Sequence, residues 1–492
     1  MDNSKTDFDP SNWEDFRTLG HRAVDDAVAR LSSIREGAVW KAPTDATSAA
    51  FSGPMPDDGL PLDQVYSDAV SALFPASMGN QNLRFWGWYM GAGTAGGALA
   101  DFFAAVDGSN LGGGNTGAAK VEWQVIDWLT DMVGFPKGSG GILTSSGSQA
   151  NLNCLVTARN KMASVDVRKV GIGGLPKPMR FYASQETHYC VAKALEVMGH
   201  GTDALRLVPV NERLAMDPGA LPAMIAEDRA AGFEPVCVIG TAGATSTGAI
   251  DDLVALSKVA RDEGLWFHVD GCVGAVVKLS RQHSGLVGGL EAADSVALDL
   301  HKWLQVPFGV GAAVVRRKTD QSDTFAAHGD FLEMKPRGLI VGDFFGGYGI
   351  DLSRGLSALK VWMTFKEQGR DKIGRMIDHT IELARGAAAR AEAEPQMERM
   401  APCPINVACF RFWGESLSDA ALDAINNEIM LQLQEDGSAV MSDTQIGGKV
   451  AIRMAISNHR TVKSDVDAVL DLFIARGQKL LAEGFADGVA AE

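Results

Sequence analysis

The chain has 492 residues and a formal net charge of −16, which argues against nucleic acid or an anionic membrane surface as a partner. Hydrophobic residues make up 46% and charged residues 22%, values that fit a globular protein of two or three domains with a large core. No apolar run is long enough to cross a bilayer.

The segment Met1-Asp2-Asn3-Ser4-Lys5-Thr6-Asp7 lacks the basic start and apolar core of a signal peptide. Cys154, Cys190, Cys237, Cys272, Cys403 and Cys409 are scattered, with no CxxC pair. Reduced thiols in a cytoplasmic protein are expected, with no disulfide framework and no metal site. Residues 12–35 form an amphipathic helical pattern through Trp13, Phe16, Leu19, Val24, Val28 and Leu31. A Pro/Gly-rich connector from Gly53 to Pro61 follows, then a second helical stretch to about Leu73. This portion carries too little apolar content for its own core and is expected to pack on something else, such as a partner subunit. Residues 1–80 are therefore read as an N-terminal helical segment.

From about residue 81 to 370, helical stretches alternate with short apolar runs. Gly91-Ala92-Gly93-Thr94-Ala95-Gly96 matches GxGxxG, but no clean strand precedes it. The acid required some 20 residues later is replaced by the loop Gly112–Gly117, so dinucleotide binding is rejected. Helical Val121–Val133 leads to Gly141–Asn151, where Thr144-Ser145-Ser146-Gly147-Ser148 precedes helical Leu152–Met162. Hydroxyls and backbone N–H groups at a helix start suit a phosphate; the same composition also suits an ordinary serine cap. His188 precedes helical Val191–Met198, placed either to stack on an aromatic ligand or simply to begin the helix. Strand-like Val236–Thr241 ends in a loop containing Thr245. That loop offers either a ligand hydroxyl or turn chemistry before a helix capped by Asp251.

Two further runs carry the sharper signal. Leu265–Val269 ends in Asp270, and Ser295–Leu298 leads into Asp299-Leu300-His301-Lys302. A lysine and an aspartate at the ends of neighbouring buried strands are what pyridoxal phosphate needs. The lysine forms an imine with the aldehyde, and the aspartate keeps the pyridine nitrogen protonated. Beyond Val310–Val315 come helical Gly355–Ala393, strand-like Val407–Trp413, helical Ser418–Gln434, strand-like Val450–Ile456 and helical Ser464–Leu481. These read as a smaller C-terminal α+β domain over residues 371–492.

In order and spacing, these motifs resemble fold-type I pyridoxal-phosphate enzymes. More closely, the chain is similar to the group II amino-acid decarboxylases, the family of aromatic-amino-acid and glutamate decarboxylases. The resemblance runs from Trp13 to about Leu481. It includes Arg84-Phe85-Trp86-Gly87-Trp88, Val121-Glu122-Trp123, Thr144–Asn151, His268-Val269-Asp270, Asp299–Trp303 and Arg453–Asn458. It implies an α/β large domain with a mainly parallel seven-stranded sheet, a homodimer and decarboxylation of an L-α-amino acid to an amine. It also implies roles: Lys302 as the internal-aldimine lysine, Asp270 on the pyridinium nitrogen, His188 and Cys272 on the two ring faces. Ser146, Gly147, Ser148 and His301 would hold the phosphate, and Thr245 a ring substituent. Trp88, Tyr89 and Arg453 would contact the amino-acid substrate.

Two departures bear on the product and the substrate. Counted without gaps from Lys302, Phe331 falls where the family carries a tyrosine that protonates the substrate carbon. Phenylalanine donates no proton. Either the nearby His328 substitutes, or oxygen intervenes and an aldehyde leaves. The glycine-rich Val106–Gly117 replaces bulkier residues of the aromatic branch and implies a roomier or more polar pocket. A regulatory protein that holds the cofactor with little turnover is the alternative outside catalysis.

Overall fold

Seven short apolar segments form one sheet: β1 (Gly140–Thr144), β2 (Met179–Ser184), β3 (Leu205–Val208), β4 (Glu234–Thr241), β5 (Trp266–Asp270), β6 (Ser295–Asp299) and β7 (Gly311–Val315). A computed structural model describes residues 6–326, 336–415 and 417–485. The strand order is β1-β7-β6-β5-β4-β2-β3, and β7 alone runs antiparallel to its neighbours. Side chains alternate between the two faces, so each strand feeds two cores. On one face lie Phe181, Ala183, Cys237, Ile239 and Trp266. On the other lie Tyr182, Val238, Phe267, Val269, Val296 and Leu298. Continuous apolar runs were the right signature for strands buried on both sides.

The helices are α1 (Trp13–Ser32), α2 (Asp45–Ala50), α3 (Leu62–Leu73), α4 (Ala95–Asp107), α5 (Gly117–Val133), α6 (Gly147–Met162) and α7 (Val167–Val170). They continue with α8 (Cys190–Val197), α9 (Leu221–Ala230), α10 (Leu253–Asp262), α11 (Lys318–Phe325), α12 (Ala358–Ala393), α13 (Asp419–Glu435) and α14 (Lys463–Ala482). None of α1, α2 and α3 contains a buried residue. Trp13, Phe16, Val24 and Val28 of α1 are exposed in the single chain. No helix among the described residues is long and apolar enough to cross a membrane.

A second, antiparallel sheet has the order β10-β11-β9-β8, built from β8 (Met397–Arg399), β9 (Val407–Phe412), β10 (Ser442–Ile446) and β11 (Lys449–Ala455). Gly447 and Gly448 join β10 to β11, both with positive φ, as a two-residue hairpin requires. Trp86 is fully buried in the core of this smaller sheet, and its N–H donates to the Val440 carbonyl. The helical run through residue 370 kinks at Gly369, where the backbone leaves the helical region.

A buried ion pair fixes the edge of the sheet beside the serine-rich loop. Arg354 Nη2 donates to Glu122 Oε1 at 2.5 Å and to the Leu143 carbonyl at 2.7 Å. The Leu143 N–H donates back to Glu122 Oε1 at 3.2 Å. Burial pushes the Glu122 carboxyl up, and the Arg354 charge opposes that rise. Removing the arginine strands a buried carboxylate. Arg354→Ala is therefore expected to cost about 3–5 kcal/mol in urea unfolding; an unchanged midpoint would show that the pair does not hold β1.

Candidate active site

The C-terminal ends of β4, β5 and β6 meet the start of α6, where ligands gather in open α/β sheets. They enclose a cleft with about 370 Å³ of empty space, measured out to its open side. Its wall includes Gly147, Ser148, His188, Thr245, Asp270, Cys272 and Lys302. Residues far apart in the sequence thus share one cavity.

Lys302 follows β6 in a tight turn. Its Nζ lies 3.5 Å from Asp299 Oδ2. Burial opposes the ammonium charge, but Asp299 foremost, with Asp270, outweighs it and raises the pKa above the ordinary lysine value. The turn is held by Gln305, a non-glycine residue with φ of 58°. Its Nε2 donates to the carbonyls of Trp303 at 3.1 Å and Ser457 at 2.8 Å, and its Oε1 accepts from the Ala92 N–H at 3.1 Å. Gly91 packs against the carbonyls of His301 and Lys302, a space that no Cβ could share. The GxGxxG segment therefore supports the lysine turn.

Asp270 ends β5 and is buried. Burial pushes its carboxyl up, but hydrogen bonding from Cys272 and the Lys302 charge carry the balance below the usual carboxylate value. Asp270 is thus an anion facing the cleft. His188 sits in the turn before α8, its Nδ1 accepting from the Cys190 N–H at 3.2 Å. Burial lowers its pKa, so the ring is neutral at neutral pH.

The helix at the serine-rich loop begins at Gly147, five residues earlier than the sequence pattern suggests, with Ser146 as its N-cap. The Gly147 and Ser148 N–H groups accordingly belong to the first helical turn, where such groups have no intrahelical partner. A Cβ on Gly147 would stand 2.6 Å from Cys272 Sγ and 2.8 Å from Asp299 Oδ2, so only glycine leaves this cradle open.

Other expected residues lie apart from the cleft wall. Ser146 caps α6, with its side chain accepting from the Gln149 N–H. His301 is buried behind the lysine turn, its Nδ1 accepting from the Val310 N–H at 3.3 Å. Tyr89 is buried and donates to Asn406 Oδ1 at 2.8 Å. Trp88 is exposed, with φ of 48°. Arg453 is buried; it donates through Nη1 to Ser442 Oγ at 3.0 Å and through Nη2 to the Thr245 carbonyl, while its Nε has no partner among the described residues. His328 and Phe331 lie outside the described residues. Asp251 does not cap the following helix, because Asp252 does. Asp251 instead binds the Met216 and Thr241 N–H groups, each at 2.7 Å, and burial pushes its pKa up to about 6.

Sequence reasoning assigned no role to a polar chain beneath the cleft. Trp266 Nε1 donates to Ser295 Oγ at 2.9 Å. His268 Nδ1 lies 2.9 Å from Ser295 Oγ, and its Nε2 lies 2.8 Å from Asn151 Oδ1. Burial lowers the His268 pKa to about 4, so the imidazole is neutral. Asn151 Nδ2 donates to the Gly147 carbonyl at 3.1 Å and reaches Cys272 Sγ at 3.6 Å. The signal was present in His268 and Asn151, but polar residues inside apolar strands give no partner from sequence alone.

The residues fit pyridoxal phosphate. A lysine, a buried carboxylate, a neutral imidazole and a glycine-lined helix start face one cavity, and the buried Thr241 Oγ1 there has no hydrogen-bond partner among the described residues. No cluster that could hold a metal ion occurs among the described residues.

The family model for the pyridoxal-dependent decarboxylase conserved domain matches residues 47–413. The chain is 30% identical over 459 residues to an aromatic-L-amino-acid decarboxylase of Bacillus atrophaeus, covering 92% of this chain and 93% of that one. It is 26% identical over 478 residues to a phenylacetaldehyde synthase of Arabidopsis thaliana, covering 93% and 94%. Among solved structures it is similar to the glutamate decarboxylase domain of a diaminobutyrate-pyruvate transaminase and L-2,4-diaminobutyrate decarboxylase from Vibrio parahaemolyticus. That match has a TM-score of 0.81 and 25% identity, covering 93% of this chain and 95% of the other.

The cradle at Gly147 gives a direct test. Gly147→Ala is expected to weaken pyridoxal-phosphate binding at least about tenfold while the far-ultraviolet circular dichroism stays unchanged. Undiminished affinity by absorbance titration would show that the cofactor does not approach this turn.

Proposed function

We propose that this chain, which belongs to the pyridoxal-dependent decarboxylase family, converts an L-α-amino acid to the corresponding amine and CO2. The observation that carries this reading is the convergence of Lys302, Asp270 and the start of α6 on one buried cleft. Bound there, pyridoxal phosphate supplies an aldehyde that joins amino groups and a ring that draws electrons from the bond being broken.

The chain's own residues divide the remaining work. Lys302 is proposed to attach the cofactor and to yield its place to the substrate amino group. Asp270, held as an anion, keeps a proton on the ring nitrogen, and its low-dielectric surroundings strengthen that pairing. His188 and Cys272 confine the ring between them, and the neutral imidazole adds no charge to its face. The first turn of α6, through Gly147 and Ser148, takes the phosphate, with Ser146 and His301 behind it. Thr245 meets a ring substituent, and Arg453 fixes that loop through the Thr245 carbonyl. Trp88, Tyr89 and Arg453 are proposed to shape the substrate side. Fixing the substrate in this narrow space selects which bond at its α-carbon breaks.

A homodimer is part of the proposal. The apolar side chains of α1 are exposed on a single chain, and a second copy would cover them. A reducing, cytoplasmic setting is supported by six cysteines, all free and buried.

Two observations favour a second reading, aldehyde formation. Phe331 stands where a proton donor is expected, and the similar Arabidopsis thaliana protein is a phenylacetaldehyde synthase. Purified enzyme should be screened against the common L-amino acids while CO2, amine and peroxide are followed together. The main reading expects CO2 and amine in equal amounts without peroxide; CO2 accompanied by peroxide and aldehyde would replace it with the second. If the second holds, Phe331→Tyr should shift the product toward amine. An unchanged product ratio would remove Phe331 from the account.

A further inference from the structure

The hydrogen bonds beneath the cleft run from β5 and β6 to the first turn of α6, and every donor among them points the same way. Asn151 fixes the direction. Its Nδ2 donates to the Gly147 carbonyl at 3.1 Å, so its Oδ1 is the atom that faces His268 Nε2, at 2.8 Å. His268 Nε2 must therefore carry the proton, and the neutral ring leaves Nδ1 to accept from Ser295 Oγ at 2.9 Å. Ser295 Oγ in turn accepts from Trp266 Nε1 at 2.9 Å. Asn151, His268 and Ser295 are all fully buried. Packing alone does not call for such a chain, since apolar side chains of similar volume would fill the space without burying polar groups. What the chain adds is a defined geometry: breaking any link leaves a buried group unpaired.

The chain joins the two ends of the proposed cofactor site. His268 and Asp270 are alternate residues of β5, so their side chains leave the same face of the sheet. Gly147 opens α6, whose first N–H groups are proposed to take the phosphate. The helix start lies close against its neighbours. A Cβ on Gly147 would stand 2.6 Å from Cys272 Sγ, and one on Gly311 of β7 would stand 2.6 Å from the Ser146 carbonyl carbon. Glycine permits this approach but does not fix it. Asn151 does. Besides the Gly147 carbonyl, its Nδ2 reaches Cys272 Sγ at 3.6 Å and Cys190 Sγ at 3.7 Å, so one amide ties the helix start to two walls of the cleft.

We propose that His268 and Asn151 are positioning residues that set the span between the first turn of α6 and the Asp270 carboxylate, so that one rigid cofactor meets both. This rests on the placement proposed above, with the phosphate at α6 and the ring nitrogen at Asp270. Neither residue takes part in bond breaking. Without the chain, α6 and β5 each persist, but their ends are no longer held at a fixed separation, and the cofactor satisfies one at the expense of the other.

His268→Phe and Asn151→Leu break the chain at adjacent links. Each should weaken binding of pyridoxal phosphate to the cofactor-free protein, followed by absorbance titration, at least about tenfold. The double variant should stay within about threefold of the larger single loss, because both changes break one chain. His268→Gln, whose amide offers one donor and one acceptor, should bind within about threefold of wild type. The same losses should appear in titration calorimetry with 4-deoxypyridoxine 5′-phosphate, which lacks the aldehyde and cannot join Lys302. Single variants that bind as tightly as wild type, losses that multiply in the double variant, or His268→Gln as weak as His268→Phe would overturn the proposal and leave the cofactor site standing. Losses confined to pyridoxal phosphate would place the effect at Lys302 and also overturn it. If circular dichroism shows either single variant unfolded, Ser295→Ala decides: it removes the donor to His268 and should weaken binding at least about threefold. Unchanged affinity in Ser295→Ala would then overturn the proposal. Wild type that binds neither ligand would overturn it together with the placement of the cofactor.

Discussion

The turn from Asp299 to Val306 is the constraint on which the site depends. It must carry a reactive amine from the end of a buried strand into a cleft without letting its backbone drift. Gln305 adopts a left-handed backbone that L side chains rarely accept, and its amide bonds to Trp303 within the turn and to two separate segments, at Ala92 and Ser457, offset that strain. Trp303 is fully buried and ties the turn to α12 through Thr380, at 2.9 Å. Gly91 closes the other side. The turn is anchored at its backbone, and the Lys302 side chain extends from it into the cleft.

The two carboxylates of the cleft are distinguished by their donors. Asp270 receives the Cys272 N–H at 3.2 Å and is held as an anion. Asp299 has one oxygen 3.5 Å from Lys302 Nζ and the other 2.9 Å from His301 Nδ1. Farther out, Ser442 accepts from both Arg453 and the Trp88 N–H, which joins the strained Trp88 to the loop carrying Thr245.

Strands β5 and β6 were legible in the sequence because both faces are buried, so each reads as an unbroken apolar run ending in a charge. The mainly parallel sheet followed from that pattern. β3 and β8 are only four and three residues long, and β10 alternates with polar residues at an exposed edge, so none stood out. The helix start at Gly147 was hidden because glycine and serine are weak helix formers, yet they place free N–H groups in the cleft. The GxGxxG segment packs closely on Lys302, a contact between residues more than two hundred positions apart. The Asp251 cap was misplaced by one residue, because two adjacent aspartates compete for one role and burial assigns the first to Thr241 and Met216. Chemistry at strand ends could be read from order and spacing; partners formed across the fold could not.

The central claim is that Lys302 alone carries the cofactor. Borohydride reduction of the protein loaded with pyridoxal phosphate, followed by proteolysis and mass spectrometry, tests it most directly. The account predicts a reduced phosphopyridoxyl adduct on the peptide containing His301-Lys302-Trp303 and on no other lysine. An adduct elsewhere, or none on that peptide after loading, would contradict it.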